Sequence, residues 1–238
     1  MNNLKIIVAF HGSVHISRAF DMPDLYVPIY GGKSVTKYIP FETENMQPDN
    51  EGDNISWMNP IISELTCFYW AAKHLDKIGN PDYIGLNHYR RLFPDIRNEI
   101  ESIKDEFIIT ASKPTTIPVL DYAHLQYGIG NELEEFFNEF VPKEETEVYQ
   151  YFCKQTEYPE KNLFIIPTSK LDGYIDFVLK VARFLYDRFP YQYTEGMPYT
   201  RRCSKIMEFV TAYYLTKLMA QGLTRYSVNY EYPWKGIY

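Results

Sequence analysis

The chain has 238 residues, 45% of them apolar, and carries 31 acidic against 24 basic side chains for a formal charge of −7. That length suits one large domain with a core that needs neither metal nor disulfide, and we read residues 1–238 as a single unit. The acidic balance and the lack of a long basic run argue against nucleic-acid binding, and no apolar stretch nears the roughly 18 residues of a membrane span.

Lys5 to Phe10 (KIIVAF) is a compact β-branched run and reads as a buried first strand reached without a signal-peptide h-region. Leu25 to Ile29 is a second short extended stretch. Gly31 to Gly52, polar and broken by Gly and Pro, reads as a long loop. Asn59-Pro60 then opens a helix, with Asn as cap and Pro in the first turn. Leu65, Phe68, Tyr69, Ala72, Leu75 and Ile78 follow at helical spacing, and Gly79-Asn80-Pro81 ends it. Asp82 to Leu86 reads as a strand that delivers Asn87-His88-Tyr89-Arg90-Arg91. Phe107 to Thr110 and Leu163 to Ile166 are further buried-strand candidates, and helices are expected over Glu132–Phe140, Glu144–Gln155, Lys170–Arg188 and Arg201–Ala220. Strands alternating with helices predict an α/β fold with ligand groups at the strands' C-terminal ends. Cys67, Cys153 and Cys203 are widely spaced, as expected of reduced thiols in a cytoplasmic protein.

Three groups of residues have the chemistry of a site. Arg90, Arg91 and His88 leave a strand end together, and a guanidinium fork matches phosphate oxygens, which suggests an anionic ligand such as a diphosphate; salt bridges to nearby acids are the competing explanation. Asp53, Asn54 and Ser56 could bind a base or sugar hydroxyl, or could simply shape the turn into the helix. Glu208 sits among Ile206, Met207, Phe209 and Val210, a setting that raises a carboxyl pKa and suits a general base, although most helical Glu residues are only solvated. His11, at the end of the first strand, and His124, in an expected loop, are weaker candidates. Nucleotide-binding glycine motifs, the G-x-S-x-G elbow and H-E-x-x-H are all absent.

The block Asp82-Tyr83-Ile84-Gly85-Leu86-Asn87-His88-Tyr89-Arg90-Arg91, with Asp53-Asn54-Ile55-Ser56, Asn59-Pro60, Ser63-Glu64-Leu65-Thr66 and Asn162-Leu163-Phe164-Ile165, resembles a bacterial family first catalogued as a domain of unknown function. That family occurs in capsule, exopolysaccharide and O-antigen gene clusters, and some members are galactofuranosyltransferases. The resemblance implies a GT-A-like fold with a central, mostly parallel mixed sheet flanked by helices, a UDP-sugar donor, and a saccharide acceptor. A lipid-linked acceptor and peripheral contact with the inner membrane face are among its expectations. It places Asp53, Asn54, Ser56, Asn59 and Glu64 on the donor side, with Asn87, His88, Arg90, Arg91 and the late run from Arg201 to Glu208 completing the site. His11 and His124 join them as substrate-binding candidates. GT-A enzymes commonly hold a divalent cation, Mn or Mg, on an Asp-x-Asp motif at this strand end. This sequence has none there, so arginine and histidine are expected to supply the positive charge. A non-catalytic nucleotide- or saccharide-binding protein on the same fold is the alternative. The aromatic run from Tyr226 to Lys235 either touches a membrane interface or packs across the domain.

Overall fold

A computed structural model of the chain describes residues 3–11, 18–36, 46–188 and 200–232; of Arg18, Thr200 and Arg201 only the backbone is described. The KIIVAF run lies in β1 (Leu4–Phe10), which is apolar from Ile6 onward because both of its faces are covered. Ile7 and Ala9 enter one core cluster, and Leu4, Ile6, Val8 and Phe10 enter the other.

Parallel to β1 on one side lie β2 (Tyr26–Tyr30) and then β3 (Gln47–Pro48). On its other side is β4 (Tyr83–His88), also parallel, paired from Leu4 with Tyr83 to Ala9 with His88. Beyond it come β6 (Glu157–Pro167), β5 (Phe107–Pro114) and β7 (Thr224–Ser227), giving the order β3-β2-β1-β4-β6-β5-β7. Among these strands β6 alone runs against the rest. The mostly parallel mixed sheet expected from the sequence is therefore present.

One face of the sheet is covered by α1 (Asn59–Ile62), α2 (Leu65–Lys73), α4 (Val119–Tyr127), α5 (Gly130–Phe140), α6 (Thr146–Lys154), α7 (Leu171–Arg188) and α8 (Thr200–Ala220). The other face has a thinner cover: α3 (Arg97–Glu101), a short turn at Arg18–Phe20, and the C-terminal residues Val228 and Tyr230. No helix of the described residues is long and apolar enough to cross a membrane.

Four expectations need correction. The helix opened by Asn59 is not continuous: Ser63 breaks it at φ 51°, and α2 ends before a separate 3-10 turn at Leu75–Ile78. Asn59 is not its cap. Its amide instead donates across the break to the Ser63 carbonyl (2.9 Å) and Thr66 Oγ1 (3.0 Å). His124 lies in α4 rather than in a loop. The Gly31–Gly52 segment holds β3 and a turn built on the fully buried Asp49, which accepts from the backbone N–H of Gly32 (2.8 Å) and from the Ser56 hydroxyl (2.5 Å). Residues 37–45 of that segment lie outside the described residues. The C-terminal run does pack across the domain as far as it is described: β7 pairs with β5, and Leu92 and Glu231 exchange backbone hydrogen bonds of 3.0 and 2.7 Å.

Candidate active site

Because β1, β2, β4, β5 and β7 all run the same way, their C-terminal ends share one edge of the sheet. β6 runs oppositely, so its first half arrives at that edge. Its pairing with β4 runs from Tyr83 with Pro167 to Leu86 with Phe164, so the residues of β6 before Leu163 lie toward that edge. Glu160, Lys161 and Asn162 thus belong to the part of β6 on the same side of the sheet as the C-terminal end of β4.

At that end Asn87 is fully buried and works inside the fold: Oδ1 accepts from the Phe93 N–H (2.7 Å) and Nδ2 donates to the Leu86 carbonyl (2.8 Å). The bonds shape the turn that presents His88, Arg90 and Arg91. His88 Nδ1 accepts from the Arg90 N–H (3.3 Å), which leaves the proton of a neutral ring on Nε2. Burial, then the charges of Arg90 and Arg91, push its pKa down to about 3. His88 is therefore a neutral donor, not the cation expected from the sequence. Arg90 is exposed and lies over the Tyr89 ring (5.2 Å). Arg91 lies over Tyr230 (5.8 Å) and Tyr232 (6.0 Å), and its buried Nε has no hydrogen-bond partner among the described residues. Among those residues neither guanidinium is ion-paired to a carboxylate. His11 is exposed at the end of β1, close enough to His88 to affect its protonation.

Glu208 lies across the same edge on α8. Its sequence neighbours Ile206, Met207, Phe209 and Val210 all enter the core, yet the carboxylate itself is not in apolar surroundings. Lys205 Nζ donates to Oε1 (2.7 Å) and Lys161 Nζ lies 3.8 Å from Oε2. Glu64 follows the Ser63 break; its residue keeps some exposed surface, but its carboxyl lies deep and accepts from Asn162 Nδ2 (2.8 Å). Burial raises the Glu64 pKa, and the nearby Glu208 charge adds to that effect. A hydroxyl pair, Ser63 with Ser204 (2.7 Å), ties the break to α8. On the other flank the Tyr230 hydroxyl donates to Glu160 (3.3 Å), linking this basin to Arg91.

The remaining candidates divide. Asp53 is exposed and accepts from the Tyr69 hydroxyl (3.0 Å). Asn54 bonds the carbonyls of Asn50 (3.1 Å) and Gly52 (2.8 Å), and Ser56 is fully buried on Asp49, so both shape the segment before α1. Asn59 abuts Gly32, whose φ of +73° disfavours a side chain and where an added Cβ would come within 2.7 Å of the Asn59 side chain. His124 is exposed on α4 and abuts Gly130. The side chain of Arg201 lies outside the described residues. Sequence reasoning missed Tyr158, Glu160, Lys161, Tyr230 and the site role of Asn162. Lys161-Asn162, a polar pair just before an apolar strand, was the available signal. Two surface clefts, of about 620 Å³ beside α5 and α7 and about 810 Å³ beside α3 and β7, include none of these residues.

The β4 end is a poor match for a divalent cation: two guanidiniums and an imidazole with one nitrogen already accepting offer it no carboxylate. Among the described residues no group of three or more His, Cys, Asp or Glu could hold a metal.

An α/β sheet covered by helices on one face and more thinly on the other has its ligand positions, as a rule, at the C-terminal edge where these cations and carboxylates gather. The chain belongs to the family described as domain of unknown function DUF4422, matched over residues 5–218. No curated protein matches it significantly. Among solved structures it is similar to WbbM, a bifunctional glycosyltransferase in its apo form, at 19% identity and a TM-score of 0.71 over 97% of this chain. It spans 45% of the WbbM chain, less than half. The mannosyltransferase Ktr4p from S. cerevisiae is similar at 11% identity over 97% of this chain and 70% of its own, but a TM-score of 0.40 is too loose to bear on the site. The WbbM likeness establishes the GT-A-like α/β fold that the sequence resemblance implies.

Proposed function

We propose that this chain is a glycosyltransferase acting as one GT-A-like unit, moving a sugar from a UDP-sugar to a saccharide acceptor in bacterial surface-polysaccharide synthesis. The observation that carries this reading is the pair of guanidiniums at the end of β4, unpaired with carboxylates among the described residues and beside an imidazole held neutral. In this reading Arg90 and Arg91 hold the diphosphate and His88 donates from Nε2. Galactofuranose is the first donor sugar to test. The acceptor is a growing glycan on a lipid carrier, reached at the cytoplasmic membrane face without a spanning helix.

Glu208 takes the proton of the acceptor hydroxyl as that oxygen attacks the anomeric carbon. The bond to the diphosphate oxygen breaks, UDP leaves with the electron pair, and the anomeric configuration inverts. Charge grows on the departing diphosphate, where prearranged cations stabilise the transition state most. Lys161 and Lys205 hold the Glu208 carboxylate in place beforehand.

Glu208→Gln keeps the shape and removes the base. UDP-sugar binding should persist while turnover, followed as UDP release, falls about 10²–10⁴-fold. Near-normal turnover would dismiss Glu208 as base. UDP-sugar binding with no UDP release by the unaltered chain would favour the non-catalytic binding protein instead.

A further inference from the structure

Besides Arg91 Nε, two buried side-chain atoms near Glu208 have no hydrogen-bond partner among the described residues: the Tyr158 hydroxyl and Asn162 Oδ1, on residues 0% and 5% exposed. An unmatched buried polar atom is destabilising, and a fold that keeps two of them near one carboxylate calls for a partner. The backbone shows strain at the same place. Lys161 and Asn162 are both at positive φ, 63° and 53°, where the register of β6 against β5 shifts, a conformation costlier for Lys than for Asn.

The surroundings indicate the kind of partner. Tyr158 stacks on Phe209 (4.9 Å, 17°), next to Glu208 in sequence. Above lie the half-exposed rings of Tyr122 and Tyr127, edge to face at 5.9 Å, with Lys205 over Tyr127 (5.2 Å). The carboxylates already have partners: Glu208 has Lys161 and Lys205, Glu64 has Asn162 Nδ2, and Glu160 has the Tyr230 hydroxyl. What remains unmet is a hydroxyl and an amide oxygen beside flat aromatic faces, which suits a neutral polyol rather than an ion.

We propose that this region, where the start of β6 meets α4 and α8, is the acceptor subsite, in which Tyr158 and Asn162 hydrogen-bond hydroxyls of a neutral saccharide and Tyr127 stacks on its ring. The proposal rests on the glycosyltransferase reading. It also sets the acceptor hydroxyl next to Glu208.

Tyr158→Phe removes the hydroxyl without breaking any hydrogen bond within the described fold, so the variant should fold normally. A panel of methyl glycosides of galactose, glucose, mannose and N-acetylglucosamine serves as the probe, read as thermal stabilisation and as acceleration of UDP release from UDP-galactofuranose. At least one glycoside should stabilise the unaltered chain, and Tyr158→Phe should weaken that binding about tenfold while stabilisation by UDP stays unchanged. Tyr174→Phe, whose hydroxyl already bonds Thr211 (3.0 Å), is the control that leaves glycoside binding intact. Glycoside binding by Tyr158→Phe within twofold of the unaltered chain overturns the subsite. So does an unaltered chain that binds UDP but none of the glycosides. A chain with neither UDP affinity nor UDP release instead overturns the transferase reading.

Discussion

His88 and Glu64 titrate abnormally for the same first reason, burial, yet they tilt stability in opposite directions with pH. His88 in the unfolded chain takes a proton near 6.5, whereas the native ring does so only at about 3. Between those values the unfolded state binds more protons, so its share of stability is complete above 6.5 and is lost as acid is added. Glu64 keeps its proton in the native state above the ordinary 4.5, where the unfolded carboxyl has released it. Its share is therefore present below 4.5 and is lost as pH rises. A series of thermal melts against pH should show His88→Gln flattening the limb between 6.5 and 3, and Glu64→Gln flattening the decline above 4.5. A His88→Gln protein that loses stability in acid as steeply as the parent would mean that the imidazole is already charged near neutrality.

Among the elements, the C-terminal segment does two separable jobs. β7 covers the outer edge of β5, from Phe107 with Thr224 to Thr110 with Ser227, and the residues after it bring Tyr230 over Arg91. Removing everything after Gly222 should expose the apolar edge of β5, lower the melting temperature and promote aggregation. Tyr230→Leu keeps β7 but removes the ring from Arg91. It should weaken UDP binding by about 0.5–2 kcal/mol in calorimetry with little change in melting temperature. Unchanged UDP affinity in that variant would detach the tail from the donor site. The sequence shows β1 and β4 plainly because strands buried on both faces carry short apolar runs, Ile6 to Phe10 in one and Tyr83 to Leu86 in the other. It hides α4, since only Val119 and Ala123 of that helix are buried and so little periodicity results. It hides the Ser63 break as well: Leu65, Phe68 and Tyr69 remain core residues on either account, and the apolar pattern does not register a single left-handed residue. The cations at the β4 end are legible as a cluster, but the region around Glu208 is not, because Glu64, Asn162 and Glu208 come together from three distant stretches.

For the molecule as a whole, a formal charge of −7 sets a general repulsion against any nucleotide diphosphate. Binding must then depend on a local inversion of sign, and the described structure has one at the end of β4, where Arg90 and Arg91 form no ion pair among the described residues while Glu208 is held by Lys161 and Lys205. If the guanidiniums do the work a bridging cation does elsewhere, UDP-sugar binding and UDP release should be unchanged in excess EDTA and gain nothing from added Mn or Mg. Binding should also weaken with rising salt, because Arg90 is exposed and screened. Arg90→Ala and Arg91→Ala should each lower UDP affinity, and a charge-assisted contact to phosphate is worth about 1.5–3 kcal/mol. Arg91→Lys should recover only a fraction of the loss, because an ammonium lacks the planar fork that pairs two oxygens at once. Activity abolished by EDTA and restored by Mn would show that the diphosphate is bridged by a metal, and the arginines would then be bystanders to it.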